Sequence, residues 1–531
     1  MARPVRFSEA GFRVEAERSA EGAVRRGLLP DPTAALSGGA AVKRNLYRAA
    51  SRVELPGLGA VLLKVHRPRG LVDTVRAALR RSRARSEWDA ARYLVGAGIP
   101  TPAPLAVLER RRGPLLEQAA SAARFVAPRE TFAPSLTAQP PDKARALAAR
   151  SGRLLRALHD RGVSHGDFHS GNLLVGPGPG DRCVLDVVDL HTVRAGRPVP
   201  ARRRRAQLAQ WVHSLAGVLG AAGRRRVVVG YLGDADAATV RCTFARVERL
   251  VAARERRRLR SRGRRCVEES SVYTSDLGDA RGWRRRDLPV EAIERALAAH
   301  DAALARGGDA VLKRHRKGAV VRAGGVVVKE AFEPGLARRL EARLLPRRRR
   351  AGYENAHRLA VRGVGTAAPL AFVRRGGRTF TLYEDLGRLP RLDHWVIEAA
   401  RTRRLSRARR LAALHATADF AAGLHRRGVW HGDLKACNWL VEETGTHLAF
   451  RLVDTDRVRF LRRVSRERRL RNLAQLAASV PRAVTRTDRL RWWRRYARGT
   501  PWAGAAHERA VARDVAALVA RKLVVVDEPI E

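Results

Sequence analysis

The stretch LHDRGVSHGDFHSGN at residues 158–172 returns as LHRRGVWHGDLKACN at 424–438, with nine of the fifteen positions identical. Both copies carry His-Gly-Asp and then, after four intervening residues, Asn. The spacing sets an acidic oxygen and an amide oxygen about one loop turn apart, an arrangement that suits the holding of a hydroxyl and a metal ion near a phosphate.

Outward from these loops the two halves keep the same order at an almost fixed offset. Lys64 maps to Lys329 and Asp189 to Asp454 at 265 residues, whereas Asp167 maps to Asp433 and Asn172 to Asn438 at 266. PLA at 104–106 recurs at 369–371, and LAQW at 208–211 recurs as LAQL at 473–476. A period this long marks a duplicated domain rather than a solenoid. The length of 531 residues also asks for more than one core. The boundary is expected in the arginine-rich segment near 255–270. This gives a leader at 1–36, a first domain at 37–262, and a second at 263–531 whose residues 263–305 form a lead-in. Pro30 and Pro32 are expected to keep the leader free of regular structure.

Lys and Arg together number 106 against 52 acidic residues, a formal charge of +54, yet only eight of the basic residues are lysine. A surface of this kind favours an anionic partner, such as nucleic acid, an acidic membrane surface or a phosphorylated glycolipid. The arginines are scattered and no aromatic stacking motif accompanies them, so no specific nucleic acid is expected. Cys183, Cys242, Cys266 and Cys437 form no CxxC pair and fit no zinc spacing, which points to a reduced, cytosolic setting. The N-terminus lacks the apolar stretch of a signal peptide, and no run reaches the ~18 apolar residues of a spanning helix.

Apolar and β-branched residues around Pro56-Gly57 predict strand, turn and strand, ending near Lys64. No GxGxxG precedes it, so a phosphate-covering loop would have to be the basic segment at 43–45. Residues 83–95 predict a helix with Glu87, Ala91 and Leu94 on one face. After Asn172, a Gly/Pro turn between apolar runs predicts a hairpin that returns Asp189 beside Asn172.

Phosphoryl transfer asks a protein to position groups and neutralise charge: a cation for the nucleotide phosphates, carboxylate and amide ligands for Mg²⁺, and an acceptor for the hydroxyl proton. Lys64, Asp167, Asn172 and Asp189 stand in that order along the chain, as do Lys329, Asp433, Asn438 and Asp454. Lysine retained against an arginine bias suits a site where a compact ammonium must fit between phosphates and a carboxylate. Glu87 is the expected partner of Lys64. Its aligned position in the second half is Gly352, which leaves Glu354 and Glu341 as candidates for Lys329. Two residues after the loop aspartate stand Lys435, placed to neutralise the transferred phosphoryl group, and His169, which could do so only in part or when protonated.

With these residues together the chain resembles the lipopolysaccharide core sugar kinases, the Kdo and heptose kinases, of the protein-kinase-like superfamily. The resemblance rests on SEWDAARYLVGAGIPTPAPLA, GVSHGDFHSGNLLV and VVDLHTVR in the first half, and on VVVKEA, GVWHGDLKACNWLV and LVDTDRVRF in the second. It implies an α+β fold of two tandem kinase-like domains, each with a small β-rich N-lobe and a mainly helical C-lobe. It also implies ATP with Mg²⁺, and a sugar hydroxyl of the lipopolysaccharide core as acceptor at the cytoplasmic face of the inner membrane, where the charge of +54 would hold the protein peripherally on anionic lipid. By position, Asp167 and Asp433 would orient and deprotonate the hydroxyl, Asn172, Asp189, Asn438 and Asp454 would hold metal, and Lys64 and Lys329 would bind the α- and β-phosphates. The residues themselves favour a non-protein acceptor, since no APE-type anchor occurs and Gly166 and Gly432 stand where protein kinases carry an arginine. A small-molecule kinase of the aminoglycoside or choline type, and a regulatory protein with one inactive half, stay open at this point.

Overall fold

In Phe12–Ala16 the residues Phe12, Val14 and Ala16 are buried while Arg13 and Glu15 are not, the period-two pattern of a strand covered on one face. This strand pairs with Val5–Glu9 through a tight turn whose Ala10 and Gly11 both have positive φ, 50° and 78°, the backbone that hairpin twist favours. The expectation of an irregular leader is therefore corrected. A computed structural model of the chain describes residues 3–45, 48–68, 81–127, 129–178, 183–332, 349–403, 405–445, 447–498, 500, 502 and 505–520. It divides into two units, Met1–Arg256 and Arg257–Glu531.

The first unit opens with a seven-stranded sheet. Its strands are β1 (Val5–Glu9), β2 (Phe12–Ala16), β3 (Ala40–Asn45), β4 (Arg48–Leu55), β5 (Gly59–His66), β6 (Pro104–Arg112) and β7 (Leu115–Arg124), ordered β1-β2-β6-β7-β5-β4-β3. Every neighbouring pair is antiparallel. One face packs Val14, Val61, Leu63 and Leu108 against Val24, Leu28 and Leu36 of the helices Glu21–Leu28 and Pro32–Ser37. Residues 1–36 thus supply two strands and the helical cover of a sheet face. The proline reading failed because Pro32 sits in the first turn of a helix capped by Asp31, where a missing N–H costs nothing. On the other face the helix Arg83–Gly96 packs Ala84 and Trp88 on Val107 and Ala119.

The second unit repeats this plan, with strands in the order Tyr273–Thr274, Arg281–Arg285, Pro369–Arg375, Arg378–Glu384, Val326–Ala331, Gly318–Ala323 and Val311–His315. Helix Val290–Arg306 covers one face through Ile293, Ala296 and Leu297. Helix Ala351–Val361 lies on the other, with Tyr353 against Phe372. The lead-in segment is therefore the counterpart of the first 36 residues, and the repeat reaches further toward the N-terminus than the repeated motifs reveal.

After each sheet the chain becomes mainly helical. In the first unit Phe168, Trp211, Leu155 and Leu208 centre the core, and in the second Trp439, Phe450, Trp493 and Tyr496 do so. Burial of side chains of this size contributes roughly 1.5–3 kcal/mol each. Each unit has the two-lobed α+β plan of a kinase-like domain, as the resemblance implied. Among the described residues no helix is long and apolar enough to cross a membrane.

Two glycines set the closest helix contact of the first unit. A Cβ on Gly152, in helix Pro141–Asp160, would stand 2.1 Å from the Val227 carbonyl oxygen, and one on Gly230, in helix Ala221–Leu232, would stand 1.9 Å from that of Ala149. Only glycine permits this approach. Gly152→Ala is expected to destabilise the first unit by about 1–3 kcal/mol through forced separation of the two helices, measured as a lower urea midpoint. An unchanged midpoint would contradict the packing.

Candidate functional site

The repeated loops are set by buried histidines that the helices ahead of them deliver. His159, near the end of Pro141–Asp160, accepts from the Tyr231 hydroxyl at 2.8 Å and donates through Nε2 to Gln207 Oε1 at 2.7 Å. Gln207 in turn donates to the His165 carbonyl at 3.0 Å. The second unit has the same relay: Tyr496 to His425 at 2.7 Å, His425 to Asn472 at 3.2 Å, and Asn472 to the His431 carbonyl at 2.5 Å. Burial lowers the pKa of His159 and of His425 to about 4. A neutral ring with one donor and one acceptor is what each relay requires.

His165 and His431 hold the motif from inside. Their Nδ1 atoms accept from the backbone N–H of Asp167 at 3.2 Å and of Asp433 at 3.1 Å. Their Nε2 atoms donate to the carbonyls of Val188 at 3.2 Å and Val453 at 3.4 Å. Burial lowers both pKa values, so the rings stay neutral. The loop N–H groups of Ser170 and Ala436 donate to Ser214 and Ser479. The motif is thereby stitched to the following loop and to the next helix.

In the first unit Lys64 lies on β5, opposite Ser121 of β7, on the sheet face that carries helix Arg83–Gly96. Its Nζ is 2.5 Å from Glu87 Oε1, with both side chains largely buried. The sequence-expected pair is therefore brought together. Lys64, Glu87 and Asp189 line one cavity with Ser121 and Thr101. Asp189 stands in the left-handed region at φ 60°, a conformation that costs a non-glycine residue about 1–3 kcal/mol and recurs where function fixes the backbone. The hydrogen bond from His191 Nδ1 at 2.7 Å, followed by the charges of His191 and Lys64, holds the Asp189 carboxyl down at about 2 against the opposing effect of burial. Asn172 donates its amide N–H to the Asp167 carbonyl at 2.9 Å, which presents its side-chain oxygen as the acceptor. The N–H of Val188 donates to the Asn172 carbonyl at 3.1 Å, bringing the Asp189 loop alongside Asn172. An ionised carboxylate and an amide oxygen form the hard oxygen donor set that Mg²⁺ takes. Asp167 itself receives Gln210 Nε2 at 3.3 Å, and His169 Nε2 lies 3.5 Å from it.

The second unit places Asp433, Asn438 and Asp454 in the same way, with Asn438 donating to the Asp433 carbonyl at 2.8 Å and Asp454 at φ 54°. Lys435 Nζ lies 3.3 Å from Asp433. Lys329 differs from Lys64. It binds Asp454 at 2.9 Å and also Asp456. Burial disfavours the charge on Lys329, but Asp456, Tyr383 and Asp454 outweigh it and raise the pKa above the usual lysine value. Burial also works against ionisation of Asp454, and Lys329 overcomes it. Glu354 does not reach Lys329 and pairs instead with Arg350 at 2.5 Å and Arg358 at 2.7 Å. Glu341 lies outside the described residues. The segment Lys43, Arg44, Asn45 ends β3, and residues 46–47 lie outside the described residues too.

Sequence reading missed Asp456 and both histidine relays. The relays had a signal, since His159 and His425 fall within the repeated string and Tyr231 and Tyr496 keep the 265-residue offset. Asp456 had none within its own half, because its counterpart is His191.

A family model described as the lipopolysaccharide kinase (Kdo/WaaP) family matches the chain twice, over residues 57–231 and 336–496. The lipopolysaccharide core heptose(I) kinase WaaP of Pseudomonas aeruginosa is 30% identical over 174 residues, which take in 30% of this chain and 65% of that protein. The chain thus spans just under two thirds of that relative's length. Among solved structures, WaaP in complex with acyl carrier protein is 25% identical, with 43% of this chain and 95% of the other covered and a TM-score of 0.33. The pseudokinase domain of BIR2, an immune regulator of the RLK/Pelle family, is 16% identical, with 43% and 78% covered and a TM-score of 0.25.

The relays set a pH dependence of stability. The folded-state pKa of His159 and His425 lies below the usual 6.5, so the unfolded chain takes the proton first. Full stability is present above about pH 6.5, is lost as pH falls toward 4, and no further loss from these groups follows below that. Each relay is expected to cost its unit about 3 kcal/mol across this window, seen as a falling urea midpoint. His159→Gln should flatten the dependence in the first unit, and an unaltered slope would contradict the assignment.

Proposed function

The chain belongs to the lipopolysaccharide kinase (Kdo/WaaP) family, and from that premise we propose that it transfers the γ-phosphate of ATP to a sugar hydroxyl of the lipopolysaccharide core, on heptose or Kdo, at one or both of its sites. The observation that carries this reading is the convergence of Lys64, Glu87 and Asp189 on one cavity, with the Asp167–Asn172 loop bonded directly to the loop that carries Asp189.

The residues divide the work. Lys64 and Lys329 neutralise the nucleotide phosphates and fix their position. Asn172 with Asp189, and Asn438 with Asp454, supply oxygen ligands for Mg²⁺, which when bound screens the phosphate charge. Asp167 or Asp433 orients the acceptor hydroxyl and takes its proton as that oxygen bonds to the γ-phosphorus and the bond to the β-γ bridging oxygen breaks, releasing ADP. Lys435 offsets charge on the transferred group in the second site, and His169 holds the matching place in the first. A general base in this role typically contributes about 10²–10⁴-fold.

The excess of positive charge suits an enzyme working on a phosphorylated glycolipid at an anionic surface, and peripheral attachment at the cytoplasmic face of the inner membrane is part of the proposal. Transfer of labelled phosphate from ATP to purified core oligosaccharide tests it. The Asp167→Ala, Asp433→Ala double variant is expected to lose about 10²–10⁴-fold in rate, and each single variant to keep the contribution of the other site. No transfer by the wild type, or unchanged transfer by the double variant, would overturn the reading.

A further inference from the structure

Gly352 stands where Glu87 stands in the first unit: both helices end at the same offset, Gly96 and Val361. A Cβ on Gly352 would lie 2.2 Å from Asp456 Oδ1 and 2.8 Å from the Tyr383 hydroxyl. The space that a glutamate side chain would leave through is therefore taken by an aspartate from the loop after Asp454, and that aspartate reaches Lys329. Any side chain at 352 would displace it.

Three positions differ together between the units. Glu87 becomes Gly352, and His191 becomes Asp456. The third is read from strand register: Ala123 pairs with Leu62 in the first sheet, and Tyr383 pairs with Val327 in the second. In the first unit the helix supplies the lysine's carboxylate, the loop supplies a histidine for Asp189, and a small residue leaves room for the glutamate. In the second the loop supplies the carboxylate, the helix withdraws to glycine, and a tyrosine fills the remaining space. The closer approach is fastened by direct bonds: the Thr455 hydroxyl donates to the Gly352 carbonyl at 2.9 Å, and buried Asn355 donates to the carbonyls of Thr455 at 2.9 Å and Val458 at 3.1 Å. Other nearby carboxylates are engaged elsewhere, since Glu354 holds two arginines and Glu330 holds Arg378 at 2.7 Å.

We propose that Asp456 is the positioning residue of the second site, a carboxylate moved from helix to loop that holds Lys329 toward the nucleotide phosphates while Asp454 serves the metal. Gly352 is then one half of a coordinated exchange and not a sign of a decayed site. The inference rests on the nucleotide-binding reading above. It gives the second unit a complete lysine anchor made from different parts.

The test uses the full chain and an adenosine analogue that carries a lysine-reactive sulfonyl fluoride in place of the phosphates, with labelled peptides quantified by mass spectrometry. Lys64 in the same molecule is the internal reference, and no turnover is needed. Wild type should label at Lys64 and Lys329, in each case prevented by ATP. Asp456→Asn should raise the ATP concentration that half-protects Lys329 from labelling about tenfold relative to that for Lys64. The triple variant Gly352→Glu, Tyr383→Ala, Asp456→His, which rebuilds the first-unit arrangement, should restore it to within about twofold. An unchanged half-protecting concentration in Asp456→Asn would overturn the inference, as would a rise without recovery in the triple variant, which would leave Asp456 a structural part only. Absence of protectable labelling at both lysines of the wild type would remove the nucleotide reading and this inference with it.

Discussion

An ammonium on a sheet strand, held by a carboxylate from a separate element, is the contact that ties each unit together at its site. A lysine there must stay charged in a partly desolvated setting, and it does so only if a carboxylate stands beside it. Adjacent residues of the same strand point to the opposite face, and in both units the carboxylate comes from another element. Helix Arg83–Gly96 meets this need in the first unit through Glu87, and the loop at 454–456 meets it in the second. In both, the lysine's partner also decides how closely the helix approaches the loop that carries Asp189 or Asp454.

The remaining machinery hangs from buried hydrogen bonds that duplication has kept nearly residue for residue. His159 and His425 fix the first residue of each motif through a side-chain amide, and His165 and His431 fix the aspartate from within. Each of these groups is buried, so a lost partner leaves an unsatisfied donor or acceptor and a cost of about 1–3 kcal/mol. Exposed positions were freer to change. His169 and Lys435 occupy equivalent places with different side chains, and the two sites therefore also differ where the acceptor and transferred phosphate would lie.

Much of the candidate site was legible in the chain because most of its side chains are fixed by short-range spacing. HGD with its asparagine, the retained Lys64 and Lys329, Glu87 on an inward helical face, and the hairpin that returns Asp189 all follow from local patterns. Residues 1–36 were misread because two prolines outweighed the alternation of Phe12, Val14 and Ala16, although one proline lies where a helix tolerates it. The partner of Lys329 could not be read at all. A search for a glutamate near position 352 assumes that the charge stays on its element, whereas Asp456 lies 104 residues further on and joins Lys329 only through tertiary folding. Gly352 looked like a loss in sequence and is a fit in space.

The central claim is that both units keep an anchored lysine for nucleotide, by different means. Isothermal titration of the full chain with a non-hydrolysable ATP analogue and Mg²⁺ addresses it most directly. The account expects two binding events per chain, one removed by Lys64→Met and the other by Lys329→Met. A single event that Lys329→Met leaves untouched would contradict it.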